Sequence, residues 1–173
     1  PGRPRAEAHE LAAGLRARRA AQRELEEVRE LALPLGGDLL TGADLSRQLD
    51  RWVTDGVVEP SVATAVRTVA AHPEWLSLPG RTLVALGAGA EIGPAPTLLR
   101  WGATVVGVDL PDATIWRRLL DTAAQTAGTL VVPTREGAAD LAARAGADLL
   151  TDLPALITWL RGQPGPLVLG NYV

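Results

Sequence analysis

"LVALGAGAEIGPAPTLLRWGATVVGVDLP", residues Leu83 to Pro111, decides how the chain is read. A short apolar run meets Gly87, Gly89 and Gly93, passes into a helical stretch, and returns as a second apolar run ending in Asp109. Glycines directly after a strand let the backbone turn tightly and let a pyrophosphate approach the amides that open the next helix. Asp109 stands 22 residues after Gly87, and a carboxylate there can accept hydrogen bonds from both hydroxyls of a ribose. The stretch therefore predicts a strand–helix–strand unit with a dinucleotide at its turn. Another adenosine-bearing ligand, or a turn with no ligand, are the alternatives. Glu91 speaks against a phosphate, since a carboxylate ~4 Å from one costs on the order of 4 kcal/mol per charge pair at an effective dielectric constant of about 20. It is tolerable if it turns to solvent, to Arg81 or to Arg100; alternatively it answers the positive start of the helix, in competition with a phosphate.

Outward from this stretch the alternation continues. "TLVALG" and "ATVVGVDL" read as strands, with "PAPTLLRWG" a helix between them whose Pro94 and Pro96 fit only its first turn. Asp112 to Ala124 reads as a helix, "GTLVVP" as a third strand and "REGAADLAARAG" as a short helix. "ADLL" reads as a short strand, "DLPALITWLRG" as another helix and "PLVLGN" as a final strand. Continuously apolar strands alternating with helices imply a parallel sheet buried on both faces. The fold expected from Arg81 onward is α/β, Rossmann-like, with "TLVAL" central and "TVVGV" beside it.

Residues 1–78 carry a different texture and are expected to form a helical N-terminal region, with 79–173 the Rossmann-like region, cut short at its C-terminus. Ala6 to Leu33 reads as one long helix with Leu11, Leu15, Leu25 and Val28 on a narrow apolar stripe. "LPLGGDLLTG" breaks it. Ala43 to Thr54 and Ser61 to Ala71 read as two further helices, stopped by Gly56 and by "HPEWLSLPG". The first helix has little to bury its stripe, which points to contact with another chain or with sequence beyond Val173, and hence to a homo-oligomer.

Composition narrows the chemistry. The net charge of −3 gives no general pull on nucleic acid, and no apolar run reaches the length of a transmembrane helix. Cysteine is absent, so thiolate catalysis and Cys-based metal sites are excluded; this fits a cytoplasmic protein. All 17 basic residues are Arg, so a P-loop and Schiff-base chemistry are excluded as well. His9 and His72 both precede the glycine turn, and no His/carboxylate cluster has metal-ligand spacing. No catalytic residue can be named.

"LGAGAEIGPAPTLLRWGATVVGVDL" resembles the opening of the short-chain dehydrogenases/reductases. Gly87 and Gly93 match the first and third glycines of that family's turn. Gly102 and Ala103 match the Gly-Ala at the end of its first helix, and Asp109 the acid of its second strand. "LLTDLPALITWL" resembles the stretch in which an Asp contacts adenine, which gives that role to Asp152, or failing it to Asp148. "LVLGN" resembles the strand before the family's Asn-Asn-Ala-Gly, with Asn171 in the Asn position. The resemblance covers Arg81 to the end. It implies NAD as cofactor, with NADP disfavoured by Asp109, and cofactor contacts from Gly87, Gly89, Glu91, Ile92, Gly93, Asp109, Leu110, Asp152 and Asn171. It departs at Glu91, which replaces the central glycine, at Leu86, and at "GNYV". The family's catalytic Tyr and Lys lie beyond the last strand; Tyr172 is too early and no Lys comes after it.

The leading expectation is an NAD(P)-dependent oxidoreductase, or the cofactor-binding fragment of one, acting on a small carbonyl or alcohol. An S-adenosylmethionine-dependent methyltransferase is the second, although Ala85 stands where such enzymes usually carry an acid. A non-catalytic Rossmann-like module for assembly or nucleotide sensing is the third.

Overall fold

The computed structural model describes residues 30–137 and 140–173. The expected helix over Ala6 to Leu33 lies almost wholly outside them. Its end does not: Leu33–Leu35 is a strand, β1, paired antiparallel with β2, Asp38–Leu40. The cause is Gly36–Gly37, with φ of 59° and 96°. Two successive residues of positive φ make the tight hairpin turn whose twist matches its strands. Helix α1, Gly42–Thr54, and α2, Pro60–Ala70, come next, as expected. Gly56 stops α1 with φ 69°, and Pro60 opens α2, where its missing N–H costs nothing. Leu45, Leu49 and Ala63 form the small core of this unit, with Leu33, Leu40, Trp52 and Val66 packed around them. A 3₁₀ turn, Pro73–Leu76, ends it, and the rings of His72 and Trp75 stack there.

Residues 78–173 form a second compact unit. Its strands are β3 (Thr82–Leu86), β4 (Thr104–Val108), β5 (Thr129–Val131) and β6 (Leu167–Asn171), all parallel, in the order β5-β4-β3-β6. "TLVAL" is thus internal, with "TVVGV" beside it. Helices α3 (Ala95–Arg100), α4 (Ala113–Ala124) and α5 (Leu141–Arg144) cover one face; α6 (Leu153–Arg161) covers the other. The register explains the two layers. Leu83, Val105 and Leu130 are neighbours across the strands and face α3 and α4, while Val84, Val106 and Val131 face α6. Alternate residues of a strand point to opposite faces, so a sheet covered twice must be apolar throughout. This is the Rossmann-like α/β architecture. The chain winds outward from β3 to β5 and then returns to the other side of β3.

Two elements differ from expectation. Among its described residues "REGAADLAARAG" yields a helix of four residues, α5, and "ADLL" runs into a turn. After Val131 the chain leaves the sheet and comes back at Ala145. The neck of this excursion is closed by an antiparallel bridge between Thr134 and Ala145 and by the bond from the Arg135 amide to the Arg144 carbonyl. Gly146 then passes so close to Pro111 and Trp116 that a Cβ would lie 2.6 Å from Pro111 Cα. The "ADLL" segment turns because the Asp148 carboxylate accepts from the Leu150 amide, and the amides of Thr151 and Asp152 bond the Asp148 carbonyl. A local Asp-to-backbone bond of this kind competes with strand pairing.

At the outer edge, β6 pairs only with β3 among the described residues. Val168 and Leu169 point to opposite faces and are 60% and 62% exposed.

Candidate functional site

The C-terminal ends of the strands gather the candidate residues. Ligands of open α/β sheets bind at this end. A cavity of about 380 Å³ lies there. Gly87 after β3, Val108, Asp109 and Leu110 at the end of β4, Ala147 to Leu150 on the return of the excursion, and Val173 line it. The walls are apolar apart from Asp109 and Asp148. Among the described residues no basic residue lines it. An apolar hollow with a few placed polar groups is the ordinary form of a small-molecule site.

Asp109 is held from both sides. Its Oδ2 accepts from the Gly89 amide at 2.7 Å and its Oδ1 from the Leu110 amide at 2.8 Å. An ionised carboxylate offers about four lone-pair sites, so each oxygen keeps one. The bond to Gly89 ties the acid of β4 to the glycine turn.

The turn itself is closed on its own chain. The amides of Gly87 and Ala88 both bond the Val108 carbonyl, that of Ala90 bonds Gly87, and that of Gly93 bonds Ala90. With Gly89 on Asp109, five of the seven amides from Gly87 to Gly93 are engaged. Pro94 and Pro96, at the start of α3, have no N–H to give. The glycines answer packing needs. A Cβ on Gly87, whose φ is 75°, would lie 2.8 Å from the Tyr172 carbonyl oxygen, and one on Gly89 would lie 2.4 Å from Ile115 Cγ2. On Gly93 it would lie 3.0 Å from the Ala90 carbonyl oxygen.

Of the residues the sequence singles out, Gly87, Asp109 and Leu110 line the cavity. Gly89 and Gly93 stand behind it in the turn. Glu91 is exposed and makes no ion pair among the described residues, and Ile92 is 92% exposed. Asp152 caps the start of α6 in sequence, but its Oδ2 is taken up by Arg135 and by the Asp148 amide at 2.9 Å. Asn171 accepts from the Val173 amide. Asp148, Leu149 and Leu150 reach the cavity instead. The signal that marks them is an acid set in a short apolar run, "ADLL", just before the next helix.

Ordered caps position α4, whose start faces this end. Asp112 accepts from the Thr114 amide at 2.7 Å, and that bond holds its carboxyl below the usual range. Behind the cavity, buried Trp116 donates from Nε1 to the Leu110 carbonyl at 2.9 Å. Among the described residues no group of three or more His, Asp or Glu is arranged to hold a metal ion, and no helix is long and apolar enough to cross a membrane. Compared with known proteins, the chain matches no family model, no curated protein and no solved structure.

Proposed function

We propose that the sheet unit binds the adenosine half of NAD and is the cofactor-holding part of an oxidoreductase similar to the short-chain dehydrogenases/reductases, acting on a small carbonyl or alcohol. One observation carries this reading. Asp109 stands at the cavity mouth with one lone pair free on each oxygen, an arrangement suited to the two hydroxyls of a ribose. The adenine ring would lie against Val108, Leu149 and Leu150, with Asp148 as acceptor for its amino group. When bound, the cofactor would exchange a hydride with the carbonyl or alcohol at its nicotinamide ring, and this chain's part would be to hold and orient it by its adenosine end.

A second reading rests on the glycine turn. With five amides engaged and two prolines at the start of the next helix, few donors remain for a pyrophosphate. S-adenosylmethionine carries adenosine without phosphate and bears a positive charge, which suits a cavity whose ionisable residues are two aspartates. Calorimetric titration of the chain with NAD, NADP and S-adenosylmethionine separates the readings. NAD is expected to bind more tightly than NADP, and Asp109→Asn to weaken NAD about tenfold, the worth of a hydrogen bond to a charged acceptor. Binding of S-adenosylmethionine with none of NAD would transfer the site to a methyltransferase. Binding of neither would leave a Rossmann-like module without a cofactor.

A further inference from the structure

We infer that Arg118 is a positioning residue for the ribose, acting on Asp109 through the backbone of Gly89. The inference rests on the adenosine reading of the cavity. Gly89 has no side chain and is gripped on three sides. Its N–H donates to Asp109 Oδ2, its carbonyl accepts from Arg118 Nη2, and Ile115 Cγ2 fills the space a Cβ would need, 2.4 Å from where that atom would stand. Ile115 and Arg118 are three residues apart on α4, so one helix face supplies both contacts. The third comes from the end of β4. Arg118 and Asp109 form no ion pair with each other; Gly89 lies between them.

The physical consequence concerns orientation. A carboxylate rotates broadly about its last torsion. Two amide bonds, one per oxygen, fix the plane of Asp109 and so fix where its free lone pairs point. The Leu110 amide belongs to the next residue and moves with Asp109 wherever it goes. The Gly89 amide belongs to a separate loop and holds only while Gly89 holds. Without Arg118 the Gly89 carbonyl loses its side-chain partner, the turn relaxes, and Oδ2 is released. The carboxylate would then meet a ribose in several orientations rather than one. Arg118 is exposed, so its loss buries no orphaned charge.

The experiment uses the full chain and a pair of ligands that differ by one hydroxyl, adenosine and 2′-deoxyadenosine. The unsubstituted protein is expected to prefer adenosine about tenfold. Arg118→Ala should cut that preference to about twofold, with 2′-deoxyadenosine, which keeps its 3′-hydroxyl, losing less affinity than adenosine, and Arg118→Lys should restore most of it. Thermal unfolding of each variant accompanies the titration. If Arg118→Ala keeps the full preference, or weakens both nucleosides equally, the positioning role is overturned while the adenosine reading stands. If the unsubstituted protein does not distinguish the two nucleosides, Asp109 does not read the ribose, and the role falls with it. If it binds neither, the adenosine reading itself fails.

Discussion

The glycine turn and the cavity wall opposite it occupy the same end of the same sheet, yet they are finished to different degrees. In the turn, residues 87–93, most amides are engaged and each glycine is explained by an atom of the chain that a Cβ would strike. In the wall, residues 147–150, Leu150 is 93% exposed and Asp148 faces an open hollow. The turn's amides are mostly engaged within the chain, whereas the wall is left with apolar surface that nothing among the described residues covers. A glycine pattern in a sequence reports backbone shape. Whether that shape binds anything depends on the donors left over, and here the surplus of binding capacity lies in the wall and in Asp109.

Substitutions can break this division. The largest effect is expected where turn and wall share a support. Trp116 is fully buried, bonds the Leu110 carbonyl and lies against Gly146. Trp116→Ala should cost about 3–5 kcal/mol in chemical denaturation and abolish adenosine binding together with it. A smaller loss of stability is expected in the turn. Gly89→Ala drives a methyl group into Ile115, a β-branched side chain with little freedom to move aside, and should cost about 1–3 kcal/mol. The smallest effect on the fold belongs to the wall. Leu150→Ala should change stability by less than about 0.5 kcal/mol yet weaken adenosine about threefold in the same titration. The division fails if Leu150→Ala unfolds the protein, or if Gly89→Ala is as stable as the parent.

Sequence and structure agree where one physical signal is unopposed. Residues 83–86 and 105–108 are all apolar but for one glycine, and such runs bounded by glycine have few other solutions. The disagreements arise where two signals coincide. Ala32 continues the helical spacing of Leu25 and Val28, but Gly36–Gly37 imposes a hairpin that reaches back to Leu33. "ADLL" has the composition of a strand end, and the Asp148 side chain turns it away by bonding its own backbone. Most of the helix suggested by "REGAADLAARAG" gives way to the closed neck of the excursion. At the site, Asp109 is legible because its position after an apolar strand fixes its place. The preference for Asp152 over Asp148 is not, because it depends on which of two nearby acids Arg135 engages. The scarcity of amides before α3 is written plainly in Pro94 and Pro96, which lack an N–H wherever they stand.

The bare strand β6 governs a different property, the colloidal behaviour of the protein. An unpaired strand edge is a template for any other extended chain, and folded proteins usually blunt it with charge. Between Leu167 and Val173 there is no charged side chain, and the net charge of the whole chain is only −3. So small a charge does little to keep molecules apart. Solubility would then be limited by this one seam, and a single lysine on either of its faces, at Val168 or at Leu169, would raise it more than several charges placed elsewhere on the surface.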